Sequence, residues 1–297
     1  MRKLPSTRQL QYLIALDRYK HFGRAAESCF VSQPAFSVAI KELESLLNVQ
    51  LADRTNKTVT ITNIGQEIIA QSRLALRDID GIIDIANRYQ SPLSGVVRVG
   101  IIPTIAPFLL PKLLPRIRKA FPQLKLHLLE DQTDKIDEQL KSGSLDFLIL
   151  ALPYDLHNIE KCSLFDDPFH LAFHRKTRLF DPRSPRIDQL PDESILLLEY
   201  GHCLREQAMS VCKIRNVKKI SRINANSLLT LIQMVDADLG VTYLPELALQ
   251  SSVLKHTQVK TCVTDAANNR QIAMVWRRGS LRSDEFMELG RFIKENR

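Results

Sequence analysis

The sequence predicts an α/β chain in three parts: a small helical unit at the N-terminus, one long helix, and a larger region where strands and helices alternate. Three observations carry this. Apolar residues recur at helical spacing through the N-terminal segment. A proline-free run over 63–89 keeps close to a heptad pattern, roughly 3.5 residues per step. Beyond it, short apolar runs typical of buried strands alternate with amphipathic stretches, the pattern of a parallel sheet covered by helices.

In chain order, Leu10, Leu13, Ile14 and Leu16 place a first helix over 6–20. A second follows at 24–30, where Ala25 and Ala26 are small enough for close packing. Val31-Ser32 makes a tight turn. Ser32 is a good N-cap and Pro34 suits a first helical turn, so a third helix runs Gln33–Leu47. Phe36, Ile40, Leu43 and Leu47 form its buried stripe, with Ser37 and Lys41 on another face. Short helices meeting at a tight turn suggest a helix-turn-helix, and 57–62 alternates like the strand of a wing. Such packing also occurs in proteins that never touch DNA.

The long helix over 63–89 carries Ile68, Ala75, Ile79, Ile82, Ala86 and Tyr89 along one seam. At ~1.5 Å per residue it extends about 40 Å, and a coiled-coil dimer is the economical way to cover that seam. Packing against its own domain is the alternative. Gly81 weakens the helix locally, and Ser-Pro-Leu-Ser-Gly at 91–95 reads as a hinge. After it come a strand (96–102), a helix (108–121), a strand (124–129), a helix (134–142) and a strand (147–152). A second unit begins near Asp167, with strands at 170–173, Ile195–Leu198, 220–223 and 241–244. A strand at 272–276 and the helix Ser283–Glu295 return to the first unit.

Length and composition bound the function. A chain of 297 residues, 25% charged and 44% hydrophobic, suits two or three globular domains. The net charge of +8 is compatible with a polyanionic partner, although residues 1–66 account for only +4 of it. No apolar run has the length of a membrane span or the form of a signal-peptide core, which predicts a cytoplasmic protein without membrane contact. No Gly-rich phosphate loop, zinc-protease motif or nucleophile elbow is present. Of the five cysteines, Cys29 and Cys262 sit in apolar patterns that suggest packing, and no Cys-x-x-Cys pair occurs.

Cys203 is different. It follows the apolar run Ile195–Leu198 and Gly201, where helix formers begin, so it should open a short helix. A helix start with His202 and Arg205 nearby favours a thiolate, which predicts a reactive thiol. Cys212 is nine positions on, roughly 13 Å along a continuous helix, whereas a disulfide needs Cα atoms within about 7 Å. The two can bond only if the segment rearranges, as in a redox switch. His202, Cys203 and Cys212 as metal ligands are the competing reading.

The stretch Gly-His-Cys-Leu-Arg-Glu-Gln-Ala-Met at 201–209, followed by Cys212, resembles the redox loop of the OxyR group of peroxide sensors among LysR-type transcription regulators. His21-Phe22-Gly23-Arg24-Ala25-Ala26, Val31-Ser32-Gln33-Pro34, Ser37, Ile40, Leu43-Glu44, Arg54, Thr62 and Gly65 resemble the winged helix-turn-helix of the same family. The likeness covers nearly the whole chain. It implies a winged helix-turn-helix DNA-binding domain (1–62), a dimerising linker helix (63–90) and a two-lobed, periplasmic-binding-protein-like α/β regulatory domain (91–297). Lobe I would take about 91–166 and 269–297, and lobe II about 167–268.

The resemblance also implies roles. Cys203 is expected to be oxidised by hydrogen peroxide and Cys212 to resolve it as a disulfide. Thr104 and Thr133, which follow two strands and so share one rim of the sheet, are expected to hold peroxide together with His202, Arg205 and Arg270. Without the family match, the two threonines read equally well as helix caps. Ser32, Gln33, Pro34, Ser37, Lys41 and Arg54 are the expected DNA-facing positions. Expected partners are double-stranded DNA, RNA polymerase, a disulfide reductant and further copies of the chain as homodimer and homotetramer, with no cofactor or enzymatic activity. The sequence departs from the pattern at Asn48 (usually glycine), Ala52 (usually phenylalanine), Ile223 (commonly aromatic) and Asp238 (commonly small). A LysR-type regulator answering a metabolite, with structural cysteines, and a thiol peroxidase remain as alternatives.

Overall fold

The structure is a computed structural model that describes residues 3–54, 59–88, 93–182, 185, 189–211, 214, 216–263 and 269–297. The chain divides into two compact units, residues 1–91 with 141–144, and residues 92–140 with 145–297.

In the first unit, α1 (Thr7–Tyr19) starts with a reciprocal cap: Gln9 N donates to Ser6 Oγ at 3.2 Å, and Ser6 N donates to Gln9 Oε1 at 3.0 Å. The second helix, α2 (Phe22–Ser28), starts two residues earlier than predicted because His21 Nδ1 caps it, accepting from Arg24 N at 3.3 Å. Helix α3 (Gln33–Leu47) has the predicted bounds, with Ser32 Oγ accepting from Ala35 N at 3.4 Å. Phe36, Ile40 and Leu43 are fully buried, whereas Leu47 is only half-buried. The Phe36 ring stacks on Tyr12 at 4.9 Å and meets Phe22 edge-on at 6.0 Å, fixing the three helices around one side chain.

Asn48 ends α3 in the left-handed conformation, φ 54°, the geometry for which glycine is the usual choice and asparagine the next. Strands β1 (Ala52–Arg54) and β2 (Val59–Ile61) pair antiparallel as the wing; 57–58 of the predicted wing strand lie outside the described residues. The Glu44 carboxylate accepts from Leu51 N at 2.9 Å and Ala52 N at 3.3 Å, tying α3 to the wing. A Cβ at Gly65 would collide with the Leu51 carbonyl, so the chain can enter the next helix there only as glycine. That helix, α4 (Asn63–Arg88), buries Ile69 in the same core and pairs Arg73 with Asp17 at 2.9 Å. Further along it, Ile79 is 41% and Ile82 64% exposed. Tyr89 and the Ala86 side chain lie outside the described residues.

The second unit contains, in order, β3 (Gly95–Ile101), α5 (Ala106–Ala120), β4 (Leu124–Glu130), α6 (Thr133–Lys141), β5 (Phe147–Leu152), β6 (Ile159–His174), β7 (Ile195–Leu198) and α7 (Cys203–Val211). Then follow β8 (Ile220–Ala225), α8 (Leu228–Asp236), β9 (Thr242–Pro245), α9 (Glu246–Leu249), β10 (Val259–Cys262), β11 (Asn269–Arg277) and α10 (Ser283–Glu295). As predicted, β3 is parallel to β4 and β5. The sheet as a whole is mixed rather than parallel, because β11 returns antiparallel between β5 and β6.

The largest departure from expectation is β6. Only 170–173 of its 16 residues were anticipated. It changes partner midway: 159–168 lies against β11, and 169–174 runs between β9 and β10. Strands β7 and β8 pair in parallel, and β7 joins β9 through Leu196 N donating to Val241 O at 2.7 Å. Among the described residues no helix is long and apolar enough to cross a membrane.

Candidate functional site

The site is built where β7 ends. Four buried residues of β7 lead into Glu199 and Tyr200, and Gly201 turns the chain at φ 93°, a conformation L-residues rarely adopt. Its missing side chain also leaves room for Gln132. Cys203 is then the first residue of α7, as the sequence predicts. It is a free thiol, 9% exposed, and lines two spaces. One is a tight crevice against Ile102, Pro103, Thr104, Gln132, Thr133 and His202. The other is a pocket of about 360 Å³ bounded by Thr133, Asp134, Pro153, Tyr154, Glu206 and Gln207.

The expectation of an acidic thiol is corrected. Burial pushes the Cys203 thiol above its ordinary pKa; the Thr133 hydroxyl and the Arg270 guanidinium draw it partly back, and Glu206 adds to the rise. A helix start and nearby cations do not outweigh the loss of water around the sulfur. Arg205 is not one of those cations. Its guanidinium turns to the strand ends, donating to Leu198 O at 2.8 Å and Asn224 Oδ1 at 3.3 Å, and lies 4.2 Å over the Tyr200 ring. His202 is buried beside the thiol, and burial holds its pKa below the ordinary imidazole value.

Arg270 is the cation that the fold supplies. It is completely buried, with Nη2 and Nε on Asp167 Oδ2 at 2.9 and 3.0 Å. Nη1 donates to Thr104 Oγ1 at 3.0 Å and Nη2 to Thr104 O at 3.2 Å. Thr104 therefore does not cap α5, which starts without a side-chain cap. Thr133 opens α6, and its hydroxyl faces the Cys203 thiol but finds no partner of good hydrogen-bond geometry.

Two participants escaped the sequence reading. Gln207 stands four residues after Cys203 on the same helix face, a spacing that could have flagged it. Its Nε2 donates to Ala151 O at 3.1 Å, while its buried Oε1 has no partner among the described residues. Asp167 is the other, and the Asp166-Asp167 pair inside an apolar strand was its only signal. Cys212 lies outside the described residues. The nine-residue α7 nevertheless separates Cys203 from Val211 by about 12 Å at ~1.5 Å per residue. Among the described residues no group of three His, Cys, Asp or Glu side chains could hold a metal ion.

In the N-terminal unit, Ser32, Gln33 and Pro34 are exposed at the start of α3, Lys41 is exposed further along, and Ser37 is half-buried. The Arg54 side chain lies outside the described residues. Phe30, which the sequence reading passed over, stands 96% exposed at φ 56° in the turn before α3.

Comparison with known proteins decides the family. Residues 7–66 match the bacterial regulatory helix-turn-helix protein model of the lysR family, and residues 90–297 match the LysR substrate binding domain. The chain is a LysR-type transcriptional regulator. Among its relatives, the regulator OxyR of Escherichia coli K12 is 37% identical over 97% of this chain and 94% of its own. The HTH-type transcriptional regulator EstR of Acinetobacter baylyi is 37% identical over 96% of this chain and 95% of its own. Full-length OxyR from Pseudomonas aeruginosa superposes with a TM-score of 0.82 at 32% identity, covering 98% of this chain and 95% of that one. The reduced regulatory domain of OxyR2 from Vibrio vulnificus gives 0.67 at 39% identity, over 70% of this chain and 98% of its own. LysR-type regulators are transcription factors rather than an enzyme family. The regulator's C-terminal fold is the mixed α/β domain of its family.

Proposed function

We propose that this regulator senses hydrogen peroxide through Cys203 and controls oxidative-stress genes. One observation carries the reading: a buried thiol shares its pocket with the Thr133 hydroxyl, which faces it, and with Gln207 Oε1, buried without a partner among the described residues. Peroxide is small, and each of its oxygens can both donate and accept a hydrogen bond, which suits that pair. The Cys203 thiolate attacks one peroxide oxygen, the O–O bond breaks, and the departing hydroxide leaves as water on taking a proton. Sulfur is oxidised to the sulfenic acid and peroxide is reduced. The Cys212 thiolate then attacks that sulfur, releasing a second water and forming the disulfide, which a dithiol reductant later reopens. Arg270 and Thr104 supply cation and hydroxyl at the rim where charge develops on the leaving oxygen.

Ser32, Gln33, Pro34, Ser37, Lys41 and Arg54 serve in this reading as the DNA-facing set, with the exposed start of α3 entering the major groove. The 1–62, 63–90 and 91–297 segments act as DNA-binding, dimerising and redox-sensing parts of a cytoplasmic homotetramer that engages RNA polymerase. The relatives support the peroxide reading by name: several are hydrogen peroxide-inducible genes activators. A solved OxyR mutant of Corynebacterium glutamicum, 29% identical, is described as H2O2-bound.

The 360 Å³ pocket, far larger than peroxide, favours one competing reading, a small organic effector with the cysteines structural. Counting free thiols and mapping the DNA footprint before and after stoichiometric peroxide separates the two. The peroxide sensor loses two thiols and changes its footprint; a metabolite sensor does neither.

A further inference from the structure

Arg270 and Asp167 stand directly opposite each other in the β6–β11 register, at the point where β6 passes from β11 to β9. The pair is wholly buried, and all of Asp167 is used. One oxygen takes two guanidinium nitrogens of Arg270. The other accepts from Leu247 N in α9 at 2.8 Å. The Arg270 guanidinium gives two further donors to Thr104, in the crevice that Cys203 also lines. Free rotation of a guanidinium on a long stem would leave its charge unaimed; two of its nitrogens held on one carboxylate oxygen restrict that freedom.

We propose that Asp167 is a positioning residue for the thiol chemistry: it holds the Arg270 guanidinium against Thr104 beside Cys203, and through Leu247 it ties that placement to α9. The proposal rests on Cys203 being the reacting thiol. Asp167 itself touches neither sulfur nor oxidant. Its charge has a second effect, opposed to the first. By neutralising Arg270 it weakens the cation's pull on the thiolate, so the site trades thiol acidity for a fixed geometry. Among the described residues, the charged and titratable groups facing Cys203 are Arg270 from β11, Glu206 from α7, His202 just before α7 and Tyr154 after β5, the last under the influence of Asp134, Asp137 and Glu138 of α6. Asp167→Asn leaves all of these in place: its amide oxygen can still accept from Leu247 N, and the charge opposite Arg270 is removed.

The two effects make the test specific. Full-length Asp167→Asn protein is followed by peptide mass spectrometry at Cys203, recording iodoacetamide labelling against pH and oxidation by hydrogen peroxide. The half-point of labelling should fall by about one pH unit, the effect of an unneutralised cation nearby. Oxidation, compared at equal thiolate fraction, should slow by about tenfold, the cost of an unaimed donor to the leaving oxygen. A merely structural role for Asp167 would not lower the half-point. A folded Asn variant with wild-type half-point and wild-type rate overturns the proposal. If Asp167→Asn does not fold, Asp167→Glu decides: its charge keeps the half-point, but its added methylene shifts the guanidinium and should slow oxidation severalfold. A Glu variant that oxidises as fast as wild type overturns the proposal. Should wild-type Cys203 prove inert to peroxide, the function proposed above fails, and the labelling half-points still decide whether Asp167 governs the charge of Arg270 at the thiol.

Discussion

At the scale of single residues, the site separates reactivity from acidity. Cys203 is oxidisable in this reading although burial holds its thiol protonated beyond the ordinary range. A raised folded-state pKa gives a stability contribution present below the unfolded thiol's pKa and lost as pH rises through the folded one. Thermal melts should therefore show wild type losing stability on the alkaline side faster than Cys203→Ala, with the two converging in slope near neutrality. Equal alkaline slopes would show that Cys203 is not buried in solution. The burdens of the two cysteines also differ. Cys203→Ser should abolish the peroxide response. Cys212→Ser should still form sulfenic acid at Cys203, yet drift to sulfinic and sulfonic acids for want of a resolving thiol. Intact-mass analysis reads this directly, and a Cys212→Ser protein that stops cleanly at a disulfide would assign the resolving role to another cysteine.

At the scale of elements, the proposed function rests on α3 and α7. Gln33→Ala should relax base preference by ~1–3 kcal/mol if its amide reads a base edge. Lys41→Ala should weaken all sequences alike and reduce the salt slope by about one if its ammonium meets a phosphate. Binding isotherms at several salt concentrations distinguish these, and no change in either variant would remove α3 from the groove. Both helices were legible in the sequence because local chemistry defines them: Ser32 and Pro34 at one start, Gly201 at the other. What surrounds them was not. Arg205 reads as a neighbour of the thiol in sequence, yet the open carbonyl of Leu198 and the Tyr200 ring claim its guanidinium. The long strand β6 defeated periodicity because its centre carries Asp166 and Asp167, and the partner that makes a buried aspartate acceptable lies 103 residues away. Asn48 and Asp238, which depart from the family pattern, both sit at positive φ, 54° and 58°, so the turn rather than the packing explains what is usual there.

At the scale of the whole molecule, the proposed assembly rests on α4. Its Ile79 and Ile82 are exposed within their own unit, where an apolar seam would be expected to find a partner helix. Ile79→Glu with Ile82→Glu should yield monomers with poor operator affinity, and light scattering that still shows the full oligomer would place the interface elsewhere. In the proposed switch, disulfide formation unwinds part of α7, so hydrogen exchange over 204–211 should rise on oxidation. One strand of the regulatory domain, β6, is shared by both groups of sheet partners. Pulled from its ends, a domain whose two parts have separate strands would yield in two steps, each with its own contour length. Here β6 is stitched to β11 along one half and to β9 and β10 along the other. Tearing either seam drags the same strand out of the other, so the regulatory domain should give way under load in one rip.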